Sequence, residues 1–110
     1  MDAQEKQRFA ARLQDAITAT EKDIAALTEL TRPIAPDNAI GRLSRLEAMN
    51  TKSINEAALH SARNKLGKLK YTLNNLDSDE FGICAECGEP IPPARILAMP
   101  ESNRCVACAD

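Results

Sequence analysis

The chain has 110 residues, of which 44% are apolar but only 3% aromatic, with no Trp, so any core is built from Ala, Leu and Ile, a palette that suits helices packed on helices. A chain this short buries a modest share of its surface, and a second organising device is expected beside the hydrophobic core. The formal net charge is −2 and both signs run through the sequence, which argues against electrostatic capture of nucleic acid and leaves no direct DNA binding expected.

The N-terminal stretch MDAQEKQRFAARLQ is charged from its second residue and has no continuous apolar segment. It is read as neither a secretory signal nor a membrane span, and a cytoplasmic protein is expected. From Asp2 to about Thr31 there is no Gly or Pro, and Phe9, Leu13, Ala16, Thr20, Ile24 and Leu27 recur at steps of four and three, which predicts one long amphipathic helix. The segment Arg32-Pro33-Ile34-Ala35-Pro36-Asp37-Asn38 is a turn, with Asp37 or Asn38 placed to cap the next helix.

A second helical pattern runs from near Ile40 to about Leu76. Its best part, Leu59, Ala62, Leu66, Leu69, Leu73 and Leu76, alternates steps of three and four as a coiled-coil seam does. The pattern weakens at Asn50-Thr51-Lys52-Ser53, and Gly41 and Gly67 each lower helix propensity by roughly 1 kcal/mol relative to Ala. A turn near Ala35 would set the helices antiparallel, Leu27 against the Leu43 region, Thr20 against Met49 and Phe9 against the Ala62 region. On that register the first helix runs out near Leu66 to Leu69, and Leu73 and Leu76 must be covered by the C-terminal segment.

The acidic block Asp77-Ser78-Asp79-Glu80 ends the helical pattern, and four of the six prolines follow (Pro90, Pro92, Pro93, Pro100), so no long helix is expected after Phe81. The organisation predicted is a helical hairpin over residues 1–76, with its tip at about 32–39, and a small domain over 77–110.

That small domain contains Cys84-x-x-Cys87 and Cys105-x-x-Cys108, separated by seventeen residues, a spacing characteristic of four-cysteine zinc sites. Two residues between paired cysteines let both thiolates reach one ion through a tight turn, and Gly88 permits backbone close to the sulfurs. With all four positions of a tetrahedron filled by protein no site is left for water, so Cys84, Cys87, Cys105 and Cys108 point to one structural Zn2+ and not to catalysis. Disulfides, a redox dithiol and an iron–sulfur cluster are the competing readings. A reducing compartment disfavours the first, and the acidic neighbours Glu86 and Glu89 disfavour the low-pKa thiolate of the second.

His60, the single histidine, lies mid-helix and is read as a surface or seam residue. Asp77, Asp79 and Glu80 are read as a solvated turn. No nucleophile–base set, carboxylate pair or phosphate loop can be assembled, so an enzyme is not expected.

The run Phe81-Gly82-Ile83-Cys84-Ala85-Glu86-Cys87-Gly88, followed by Ile91-Pro92, Arg95, Ala98, Pro100 and Cys105 to Cys108, resembles the DksA/TraR family of C4-type zinc-finger transcription regulators. Gly41-Arg42-Leu43-Ser44-Arg45 also resembles the start of the second helix in its short members. The resemblance implies a protein that binds RNA polymerase rather than DNA or membrane and inserts its coiled-coil tip through the secondary channel to modulate initiation. Guanosine tetraphosphate (ppGpp) acts at the polymerase interface in family members, and acidic residues at the tip carry regulatory effect. On this reading Asp37 and Asn38 sit at the tip, and Arg42 and Arg45, three apart on one helix face, could meet acidic or phosphate groups. The family's second tip Asp is replaced here by Ile40 and a following Ala by Arg42. That departure keeps open an alternative, a zinc-stabilised interaction module with a different protein partner.

Overall fold

The computed structural model describes residues 2–33 and 42–109, with the side chains of Arg42 and Leu43 excepted. Two long helices, α1 (Ala3–Leu30) and α2 (Arg42–Asn74), pack on each other, followed by a short α3 (Pro93–Ala98) and a 3-10 turn over Val106–Cys108. Among the described residues there is no strand, only an isolated bridge between Ile83 and Pro90. The predicted all-α class holds, and both long helices begin and end within a few residues of the expected positions.

Local chemistry accounts for the helix limits. Asp2 caps α1, its carboxylate accepting the Glu5 N–H at 2.8 Å, with Glu5 in the third helical position where a capping box places an acid. At the other end the Thr31 N–H closes on the Leu27 carbonyl at 3.0 Å, and Pro33 disfavours helical backbone at the residue before it. The helix α2 runs 33 residues, about 50 Å at 1.5 Å per residue, continuous through Asn50–Ser53 and Gly67. The principal extents are 62 × 26 × 18 Å and the radius of gyration is 18.9 Å, well beyond the roughly 13 Å of a compact chain of this length.

The core lies at one end of this rod, in two adjoining clusters. Leu13, Ala16 and Ile17 of α1 surround Leu69 of α2, which is fully buried, with Leu66, Leu73 and Leu76 packed alongside. Phe9 belongs to the second cluster, with Cys84, Ile91 and Ile96, against which Leu76, Phe81 and Leu97 pack.

This corrects the expected register. Phe9 sits at the level of Leu76 rather than Ala62, a shift of about four helical turns along α2. The symmetric hairpin assumed from the proline turn placed the two arms level. The large apolar side chains of α1 lie instead in its first half and seek the leucine-rich last third of α2, where they bury most. Leu73 is therefore covered by α1, and Leu76 by both α1 and the C-terminal segment. Toward the other end Leu30, Leu46, Met49 and Ile54 remain exposed, while Ile24 and Leu27 are half-buried.

Truncating the best-buried seam position tests this packing. Leu69→Ala should lower unfolding free energy by about 2–5 kcal/mol, whereas Gly67→Ala, where an added Cβ meets nothing within 4 Å, should raise it by about 0.5–1 kcal/mol, both read by urea unfolding under helical circular dichroism.

Candidate metal centre

The C-terminal segment folds into two short cysteine turns held face to face. In the first, the Cys84 N–H donates to the Glu89 carbonyl at 2.8 Å, the Gly88 N–H to the Cys84 carbonyl at 3.0 Å, and the Ile91 N–H to the Gly82 carbonyl at 2.7 Å. This curl needs left-handed backbone at Gly82 (φ 84°) and Gly88 (φ 76°), where a Cβ would be strained. In the second, the Cys108 N–H closes on the Cys105 carbonyl at 3.1 Å, forming the 3-10 turn.

Two links join the turns and a third ties the second turn to α3. The Ala85 N–H donates to the Asn103 carbonyl at 2.9 Å, Arg104 pairs with Glu86 at 3.1 Å, and Arg95 on α3 donates through Nε to the Arg104 carbonyl at 2.9 Å. Arg95, a residue the motif pattern singled out without a role, thus holds the strand of chain entering the second turn.

All four sulfurs, of Cys84, Cys87, Cys105 and Cys108, lie within 4.8 Å of one another, and the Cys87 and Cys105 Sγ atoms are 3.7 Å apart. Sulfurs at about 2.3 Å from a tetrahedral ion are separated by about 3.8 Å, so the donor set and its spacing fit Zn2+. A disulfide would require about 2.05 Å, and all four cysteines are unpaired. Cys84 is 2% exposed and stands at the wall of the Phe9 cluster.

Electrostatically the four thiols are unequal. The backbone N–H groups of Cys105 and then Cys87 aim at the Cys84 sulfur and pull its pKa down to about 6. Cys108 is pushed up to about 12, first by the adjacent Cys105 sulfur and then by that of Cys87. At Cys87 the backbone N–H of Glu89 pulls down, but the neighbouring sulfurs and burial outweigh it and the net direction is up. Four thiolates this close repel one another unless a cation lies among them, which is what a dipositive ion supplies.

The site is joined to α1. Phe9 meets Phe81 edge-on with centroids 5.6 Å apart at 61°, Arg12 donates through Nε to the Leu97 carbonyl at 2.8 Å, and Lys6 lies 3.4 Å from Asp77. Sequence reasoning treated Phe9 as a seam residue and gave Arg12 no role. Arg12 follows Phe9 by three on the same helix face, which was the available signal. Of the large apolar residues of the C-terminal segment, Phe81, Ile91, Ile96 and Leu97 join the cluster, whereas Ile83 and Met99 stay exposed.

The other candidates are placed apart from the cysteines. His60 is exposed on α2, and Asp77, Asp79 and Glu80 form an exposed turn. Arg45 lies on the first turns of α2, half-buried. The backbone of Arg42 begins that helix, while Asp37 and Asn38 fall outside the described residues. Among the described residues no helix is long and apolar enough to cross a membrane.

Residues 79–110 match the prokaryotic dksA/traR C4-type zinc finger family. Residues 79–110 are thus a zinc finger of the DksA/TraR type. The RNA polymerase-binding transcription factor DksA of Haemophilus influenzae is 41% identical over 46 residues, 42% of this chain and 32% of that protein. An uncharacterized protein of Aquifex aeolicus is 38% identical over 45 residues, 41% of this chain and 31% of that one. The matched part thus spans about a third of the length of these curated relatives. The fold is similar to that of the transcription factor DksA2 from Pseudomonas aeruginosa, with a TM-score of 0.69 over 97% of this chain and 81% of that one at 23% identity. A DksA/TraR C4 finger with its sulfurs in one cluster takes one structural Zn2+.

The protein should carry one zinc per chain by elemental analysis, and Cys84→Ser should reduce that occupancy at equal protein concentration. Chelation should raise amide exchange over 82–108 while the Leu59–Leu69 stretch of α2 stays protected. Because Cys87 and Cys108 are held protonated and must lose protons to bind, zinc affinity should fall as pH is lowered, read by competition with a chromogenic chelator.

Proposed function

We propose that this chain is a non-enzymatic, cytoplasmic regulator of transcription that binds RNA polymerase. It enters the secondary channel with the hairpin of residues 1–76 and modulates initiation, with ppGpp taking part at the polymerase interface. In this reading Cys84, Cys87, Cys105 and Cys108 ligate the zinc of a finger spanning 77–110, and the ion organises structure only. Asp37, Asn38, Arg42 and Arg45 are the partner-facing residues of the tip, and no direct contact with DNA or membrane is involved.

The observation that carries the reading is a molecule 62 Å long in which the two long helices pack, at one end, against a finger of the DksA/TraR type. A shape of this kind separates an anchoring end from a reaching end. The acidic finger, with Asp77, Asp79, Glu80, Glu86, Glu89 and Glu101 against Arg95 and Arg104 among its described residues, supports a protein partner over a nucleic-acid one. The physical role for Asp37 is a carboxylate delivered near the polymerase active centre, where a negative charge would perturb bound metal or nucleotide.

The test is binding of the zinc-loaded protein to purified core RNA polymerase, paired with transcription from a ppGpp-responsive promoter. Binding with a Kd of about 1 μM or tighter is expected. Asp37→Asn should abolish the transcriptional effect while leaving binding within about threefold of the parent. Absence of binding at micromolar concentration, with zinc content and helicity intact, would sink the polymerase reading and leave the zinc-stabilised interaction module with another partner.

A further inference from the structure

A cleft of about 350 Å³ lies between the end of α2 and the first cysteine turn, on a side of the finger that none of the preceding roles uses. Its floor is apolar, made by Phe81, Ile91, Ile96 and Pro100. Its mouth is flanked by Tyr71 and Ile83, which are 64% and 42% exposed. A void of this size exceeds one aliphatic side chain and falls at the lower end of the range of pre-formed binding pockets.

The polar groups around it are one-sided. Glu80 is the single charged residue lining the cleft, and it follows the exposed acids Asp77 and Asp79. Asn75 spends its amide N–H on the Tyr71 carbonyl at 2.7 Å, which leaves its carbonyl oxygen as an acceptor. No Lys or Arg lines the cleft. Across the Tyr71–Thr72 row a second groove is lined by Arg63, Lys68, Arg95 and Arg104 against one acid, Glu101, so its balance of charge is opposite to that of the cleft.

We propose that the cleft is a docking pocket for a protein partner that inserts an apolar side chain flanked by lysine or arginine. The floor buries the apolar group, Tyr71 and Ile83 close over it, and Glu80 with the Asn75 carbonyl receives the flanking cations. Charge selects this occupant over an acidic segment, which would meet Glu80. The inference does not depend on polymerase being the partner.

The test uses the full zinc-loaded chain, labelled with nitrogen-15 and titrated with blocked Lys-Leu-Phe-Lys, Glu-Leu-Phe-Glu and Ser-Leu-Phe-Ser peptides. The basic peptide should shift the amides of Tyr71, Ile83 and Asn103 saturably with a Kd of about 1 mM, and the acidic and neutral peptides should bind about tenfold more weakly. Tyr71→Ala and Glu80→Lys, both at exposed positions, should each weaken the basic peptide about tenfold while leaving zinc content unchanged. Four outcomes would overturn the proposal: no shifts at about 5 mM peptide, equal binding of all three peptides, shifts insensitive to both variants, or concentration-dependent shifts at the same amides without peptide, which would assign the cleft to a second copy of the chain.

Discussion

Everything in this molecule that is not simply helical depends on the contact between Phe9 and the wall of the cysteine cluster. Phe9 enters α1 only seven residues after its cap, yet it shares one buried cluster with Cys84, Ile91 and Ile96, and Leu76 links that cluster to the leucine seam behind it. The finger therefore does not hang from the end of α2. It is gripped from two helices at once, by apolar burial at Phe9 and Leu76 and by the Arg12 hydrogen bond to the Leu97 carbonyl. A hinge with free rotation would need neither.

The energetics explain why the metal belongs in this arrangement. A segment of about thirty residues with two glycine curls and no strand pairing beyond one bridge cannot repay its conformational entropy from the few apolar groups it owns. Zinc in a four-thiolate site supplies apparent free energies of about 10–16 kcal/mol in small fingers, enough to order such a segment. Because Cys84 is both a metal-facing residue and a packing residue, that free energy is delivered against Phe9 and not dissipated in an isolated loop. The backbone N–H that does most to stabilise the Cys84 thiolate, that of Cys105, comes from the opposite cysteine turn, so folding of the two turns and readiness to bind the ion are linked.

What the sequence disclosed and what it withheld divide along the range of the interactions involved. The limits of α1 and the four-cysteine site follow from local rules: a cap at Asp2, a proline at 33 that disfavours further helix, and paired cysteines two residues apart. The register did not follow, because Phe9, Leu13, Ala16 and Ile17 repeat a pattern that fits the seam of α2 at several positions. Only the total burial achieved against Leu69, Leu73 and Leu76 chooses among them. Arg12 was invisible for a related reason, since its partner is a backbone carbonyl 85 residues away and carries no side-chain signature. Exposure of Ile83 and Met99 was equally unreadable, because an apolar residue beside a metal turn can point either way.

Uneven packing along the rod gives it a mechanical character. Side chains are interlocked where Leu13 meets Leu69, and the seam thins toward Leu46, Met49 and Ile54, which face solvent. The finger and the base of the hairpin together behave as a stiff mount, and α2 is the lever projecting from it. Over a helix of about 50 Å, each degree of tilt at the mount moves the far end by roughly 1 Å. An ångström-scale slackening around Phe9 or Arg12 would thus be amplified several-fold at the opposite end, so where the start of α2 lies is decided by residues at the other end of the molecule.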